Sequence, residues 1–325
     1  MKITLLIISL LIFVGETKAQ LFPSLGGQRA GISTAQFLKI EVGGRASAMG
    51  GAFVAVANDV SALYWNPAGL VQTENTEVIF SHNNWVVDIG HEFLGGVYHI
   101  SNNDVIGLAL TSLHTEDMPV TTEVNPFGTG EFFSFGDFGI ALTYSRRMTE
   151  QFSFGATLRY VEETLGKLKM RGLMIDLGTY YWTGLGSTRF AVVISNFGNE
   201  LEPDGEVTLF GGSTNNSWQS FSPPTMFRIG FAFEPYQVDD HRVTSSIQLN
   251  HPNDNSENIS TGVEYAWQEI LFLRGGYRFN VDEQNLSIGA GFKLNTDYGN
   301  ATLNYSFNNF ERLGSVHRLS IILGL

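Results

Sequence analysis

From Glu77 onward, apolar and polar residues alternate through most of the chain. In 151–160, Phe152, Phe154, Ala156, Leu158 and Tyr160 share one face, and Ser153, Gly155, Thr157 and Arg159 share the other. Leu286, Ile288, Ala290, Phe292 and Leu294 repeat the pattern against Ser287, Gly289, Gly291 and Lys293, as do Ala301, Leu303, Tyr305 and Phe307 against their polar neighbours. A period of two puts alternate side chains on opposite faces of a strand. No apolar run in the mature chain approaches the roughly 20 residues of a transmembrane helix. The alternation instead predicts membrane strands with one face in lipid and one in a lumen. Arg159 and Lys293 on the polar face suit a wet or plugged interior better than the dry core of a sandwich.

The pattern predicts strands at 77–86, 91–100, 104–114, 131–147, 151–162, 169–182, 188–197, 225–234, 242–250, 258–267, 270–280, 285–295, 300–309 and 315–325. About fourteen strands is an even number, as expected of a bacterial outer-membrane barrel. Alternate connections are mostly short, and the two longest, 115–130 and 198–224, fall on the other side. The final strand runs to the chain end, where Leu325 replaces the usual terminal aromatic.

The stretch 43–70, GGRASAMGGAFVAVANDVSALYWNPAGL, is unlike the rest. Its Gly and Ala content permits close backbone approach, so it is read as a plug inside the barrel. Short turns are expected at 35–38 and 45–49, and a short strand at 52–57. Asp59 is expected to cap a brief helix through Tyr64, which Pro67 ends by forcing Asn66 extended. The domains expected are a signal peptide at 1–19, a plug or hatch at 20–76 and a transmembrane antiparallel β-barrel at 77–325, an all-β fold. Lys2, the short apolar core 3–14 and the Thr17-Lys18-Ala19 site make the secretory signal, cleaved after about Ala19.

Composition agrees: 16% of residues are charged against roughly 25% in soluble domains, while 13% are aromatic. A net charge of −13 offers no basic footprint for nucleic acid. The absence of cysteine excludes disulfides, thiolate metal sites and cysteine nucleophiles. No Walker loop, dinucleotide fingerprint, HExxH or GxSxG occurs, so no enzyme, cofactor or metal centre is expected. His82 and His91 read as lumen or loop residues, Asp239-Asp240-His241 as a solvated turn. Glu162 and Glu163, adjacent on a strand, point to opposite faces. The candidate plug residues are Arg45, Gly50, Gly51, Asp59, Asn66, Pro67 and Gly69. Arg45 is expected to pair with a lumen carboxylate rather than contact a ligand, and Asn66 to form a turn or else part of a gate or ligand pocket inside the barrel. Phe127, Phe132, Phe133, Trp218 and Phe221, on or beside the long loops, read as interface anchors or as a partner-binding patch.

The run Thr34-Ala35-Gln36-Phe37-Leu38-Lys39-Ile40, with Gly44-Arg45-Ala46, Met49 to Ala55, Asn58-Asp59 and Tyr64 to Leu70, resembles the N-terminal signature of the PorV/PorQ family. That family lies within the wider FadL-like group of fourteen-stranded barrels with an N-terminal hatch. The resemblance covers about forty residues. It implies an outer-membrane subunit of type IX secretion whose partners are translocon or attachment-complex proteins, cargo C-terminal domains and outer-membrane lipid. It transfers no catalytic residues. The alternative is a FadL-like channel for hydrophobic small molecules; a third reading is a purely structural barrel.

Overall fold

The computed structural model describes residues 31–208, 213–297 and 299–325. The expected signal peptide at 1–19 and the start of the expected hatch, 20–30, lie outside the described residues.

Fourteen antiparallel strands close into one barrel. In chain order they are β1 (Glu77–Asn84), β2 (Gly90–His99), β3 (Asp104–His114), β4 (Phe135–Arg147), β5 (Phe152–Leu165), β6 (Leu168–Trp182) and β7 (Arg189–Gly198). There follow β8 (Met226–Val238), β9 (His241–Pro252), β10 (Asn258–Trp267), β11 (Leu271–Phe279), β12 (Leu286–Thr296), β13 (Gly299–Asn309) and β14 (Ser315–Gly324). Each pairs with its sequence neighbours, and β1 closes the ring on β14 from Glu77↔Gly324 to Asn84↔His317. Closure satisfies every strand edge, which a bilayer demands because hydrocarbon offers no hydrogen bonds. Among the described residues no helix is long and apolar enough to cross a membrane.

Alternation sets the faces. On β5, Ser153, Thr157 and Arg159 are buried, while Phe154 and Leu158 are exposed. Around the ring the outward positions form an apolar band that includes Phe80, Leu94, Leu142, Leu177, Ile247 and Leu303. Tyr98, Tyr144, Tyr181, Tyr236 and Trp267 stand exposed toward the short-turn end, where their amphipathic rings suit a membrane boundary.

Two expected elements differ. The strand expected at 131–147 begins at Phe135, because Phe132–Phe133 pairs instead with Met118–Pro119 in a small hairpin of the long loop. Residues 52–57 form turns rather than a strand: the amides of Phe53 and Val54 both donate to Gln248 Oε1 at 3.0 Å, leaving no ladder for them to join.

Residues 34–72 are almost entirely buried. They contain two short helices, α1 (Gly44–Ala48) and α2 (Ala62–Trp65), and 3-10 turns at Gln36–Lys39 and Pro67–Gln72. They pack on inward-facing positions of strands from several sides of the ring. Two places accept them through paired glycines. Gly155 and Gly178 are cross-strand partners on β5 and β6; a Cβ on the first would lie 2.3 Å from Pro67 C, and on the second 2.2 Å from Asn66 Oδ1. Gly262 and Gly276 are partners on β10 and β11, where a Cβ would lie 2.5 Å from Met49 O and 2.2 Å from Gly50 N. Missing side chains let the inner segment press directly on the wall backbone at both seats.

Candidate functional site

The lumen holds a network of buried charges shared between residues 41–59 and the barrel wall. Arg45, on α1, places Nε 2.8 Å from Glu264 Oε2 and Nη2 3.0 Å from Glu264 Oε1, with Nη1 2.8 Å from Asp59 Oδ2. Arg274 Nε reaches the same Glu264 oxygen at 2.7 Å. Two-pronged guanidinium–carboxylate geometry is the strong form of ion pair. It holds the Arg45 proton more tightly than usual: burial opposes the charge, but Glu264 and Asp59 outweigh it.

Glu41 anchors a second group. It accepts from Ser47 Oγ at 2.6 Å, from Gln284 Nε2 at 3.0 Å and from Arg278, with Arg318 Nη1 at 4.0 Å. Burial alone would raise its carboxyl; Arg278, Arg318 and the Ser47 hydroxyl overcome that and hold it below the ordinary carboxylate range. Arg228 sits 5.7 Å from the Trp65 ring centre and 6.0 Å from that of Tyr64, a cation–π arrangement.

The expected plug residues take defined places. Arg45 makes the expected lumen ion pair. Asp59 does not cap a helix; its Oδ1 accepts from the Ser61 amide at 2.9 Å, while Oδ2 serves Arg45, because α2 begins three residues later at Ala62. Asn66 is extended (φ −157°, ψ 106°) and fully buried. Its Nδ2 donates to Val54 O at 2.9 Å and Thr179 O at 3.1 Å, and its Oδ1 accepts from the Ala68 amide at 3.0 Å. Gly50 and Gly51 adopt φ of 64° and 74°, and Gly69 leaves room for Ala57 O, which a Cβ would meet at 2.4 Å.

Outside this segment, Phe127, Phe132 and Phe133 are exposed on the loop between β3 and β4. Trp218 donates its indole N–H to Gly205 O at 3.0 Å. Phe221 is no free surface: it bridges to Leu201 and packs on a buried cluster containing Phe37, Leu38 and Met174. His91 faces the lumen, whereas His82 points outward and contacts Glu92 at 3.1 Å. Asp240 accepts from Gln268 at 2.9 Å in its turn, and His241 contacts Tyr265 Oη at 2.7 Å. Among the described residues no group gathers with metal-binding geometry.

Open space lies at the two ends. At the short-turn end are polar recesses of about 180 and about 500 Å³, lined by Arg45, Arg242, Glu269 and Lys293 among others. At the long-loop end is a cavity of about 320 Å³ lined by Phe37, Ile40, Trp85, Ile89, Leu113 and Phe135, with Asp137, Glu163, Gln36 and Lys39 at its margins. The sequence pattern did not reveal this cavity. Its lining comes from residues 36–40 and from four wall strands or their loops, and only folding brings them together.

A sequence profile for an uncharacterised protein family, UPF0164, matches residues 21–157. No curated protein is significantly similar in sequence. Several solved structures share the architecture. The monoaromatic hydrocarbon channel CymD is 15% identical, with 88% of this chain and 98% of that chain covered and a TM-score of 0.59. The toluene transporter TbuX of Ralstonia pickettii is 13% identical over 86% of this chain and 96% of its own, with a TM-score of 0.56. A FadL homologue of Pseudomonas aeruginosa is 13% identical over 90% and 98%, with a TM-score of 0.54. At these identities the likeness shows the fold alone, a closed antiparallel barrel of fourteen strands.

Proposed function

We propose that this protein is an outer-membrane channel of the FadL-like kind, admitting small hydrophobic molecules at its long-loop, outer end. The observation that carries the reading is the apolar cavity formed by Phe37, Ile40, Trp85, Ile89, Leu113 and Phe135, which opens at that end of a barrel otherwise filled by residues 34–72, with their packed apolar core and their ion pairs to the wall. Apolar pockets with a few polar groups at the margin are the usual form of small-molecule sites. The named functions of CymD and TbuX, hydrocarbon channel and toluene transporter, support it. Residues 34–72 are the hatch in this reading. Because residues 34–72 fill the bore, passage requires the hatch to shift.

The test is uptake of toluene by proteoliposomes carrying the purified protein, with Leu113→Trp filling the cavity. Uptake above protein-free vesicles that falls severalfold in L113W is expected. Uptake equal to empty vesicles, or unchanged by L113W, would sink the proposal.

A second reading, an interaction subunit of type IX secretion, rests on the N-terminal resemblance and on the exposed Phe127, Phe132 and Phe133. None of the similar structures named above supports it. A mild-detergent pull-down from the native membrane that recovers a large translocon barrel or cargo C-terminal domains would revive it; recovery of the barrel alone would end it.

A further inference from the structure

One acid in the outer cavity has no partner. Asp137 is 4% exposed, and its Oδ1 has no hydrogen-bond partner among the described residues. It lies between Leu113 of β3 and Glu163 of β5 in cross-strand register, so the Cβ atoms of the two acids are roughly 5 Å apart. Glu163 is engaged: its Oε2 accepts from the Thr34 hydroxyl and from the Ala35 amide at 3.0 Å. The one cation at the margin, Lys39, is taken by Asp254 at 2.8 Å, which Gln36 also bonds at 2.7 Å. The lining therefore presents two neighbouring carboxyl groups and no unmatched positive charge.

A buried carboxyl without a counter-charge is costly to ionise, and a cation that meets it with good geometry lets it carry its charge. Resting on the channel reading above, we infer that the outer cavity selects apolar amines: a compact hydrocarbon body against Phe37, Trp85 and Leu113, and an ammonium group on Asp137. At about 320 Å³ the space is at the small end of ligand pockets, which span roughly 300–1,000 Å³, so a one-ring body suits it. A neutral hydrocarbon leaves Asp137 unpaired. A carboxylic acid brings a like charge toward two acids.

The test uses the detergent-solubilised full chain at pH 7 and three ligands of similar shape: phenethylamine, propylbenzene and 3-phenylpropanoate. Calorimetric titration is expected to show phenethylamine binding about tenfold tighter than either of the others, the scale of one charge-assisted hydrogen bond. Asp137→Asn should erase that preference while its thermal unfolding stays close to that of the parent. Comparison of the three ligands on the unmutated protein decides the matter even if D137N does not fold. The inference is overturned if propylbenzene or 3-phenylpropanoate binds as tightly as the amine, if D137N keeps the preference, or if none of the three binds. Equal binding and uptake of the hydrocarbon would overturn amine selection and leave the channel standing. Selective amine binding without any uptake would do the reverse.

Discussion

Arg45 and Glu264 meet through two parallel hydrogen bonds, 2.8 and 3.0 Å long, although 219 residues separate them in the chain. Glu264 is fully buried and also serves Arg274. Removing its charge would leave two guanidinium groups facing each other in the bore. Breaking a buried pair by deleting one partner costs about 3–5 kcal/mol. Glu264→Gln is therefore expected to lower the thermal midpoint markedly and to expose residues 41–59 to hydrogen exchange. Unchanged protection in that stretch would show that the pair does not hold the segment.

The glycine seats give a sharper test. Gly155→Ala puts a methyl group 2.3 Å from the Pro67 carbonyl carbon, and overpacking of this kind costs roughly 1–3 kcal/mol. Loss of protection should concentrate at 62–72 while the barrel keeps its strand signal. Gly275→Ala, where nothing lies within 4 Å, is the matched control and should be silent. Equal effects of the two would refute the seat.

Asn66 donates to two carbonyls at once. Asn66→Ala leaves Val54 O and Thr179 O without that donor, worth roughly 1–3 kcal/mol. Asn66→Asp should be worse, since it turns an acceptor toward both carbonyls. Unfolding midpoints in the order parent, N66A, N66D are expected; N66D equal to the parent would contradict the contact.

Acid should release the segment. Burial opposes ionisation of Glu41, yet Arg278 and Arg318 hold its carboxyl low. Burial opposes ionisation of Asp254 too, and Lys39 and Gln36 hold its carboxyl low. A carboxyl whose folded pKa lies below its unfolded value, about 4.3 for Glu and 3.9 for Asp, stabilises fully above the unfolded value. That stabilisation fades as pH falls through the folded one. Protease protection of residues 34–59 should thus be flat from pH 7 to pH 5 and collapse only in stronger acid. Collapse between pH 7 and 6 would assign control to other groups.

The barrel was legible because strand alternation is a local property. Each of the fourteen predicted strands has a counterpart, and the inward Arg159 finds Asp176 at 2.6 Å. The small-residue stretch also stood out. Its internal form was harder to read, as with 52–57, where a side chain from the far wall, Gln248, takes the amides a strand would have used. The pairing of the wall glycines depends on register between strands, which the one-dimensional pattern does not contain. The unpartnered Asp137 was invisible for the same reason: it is defined by what Thr34, Lys39 and Asp254 do elsewhere.

The two glycine seats lie on different sides of the ring, β5–β6 and β10–β11, and are joined by a short stretch of chain from Met49 to Pro67. A tube of fourteen strands under lateral pressure flattens toward an oval. Anchored at both seats, that stretch works as a strut across the bore, so the barrel's roundness and the seating of its contents rise and fall together. Squeezing the wall loosens the segment, and unseating the segment softens the wall.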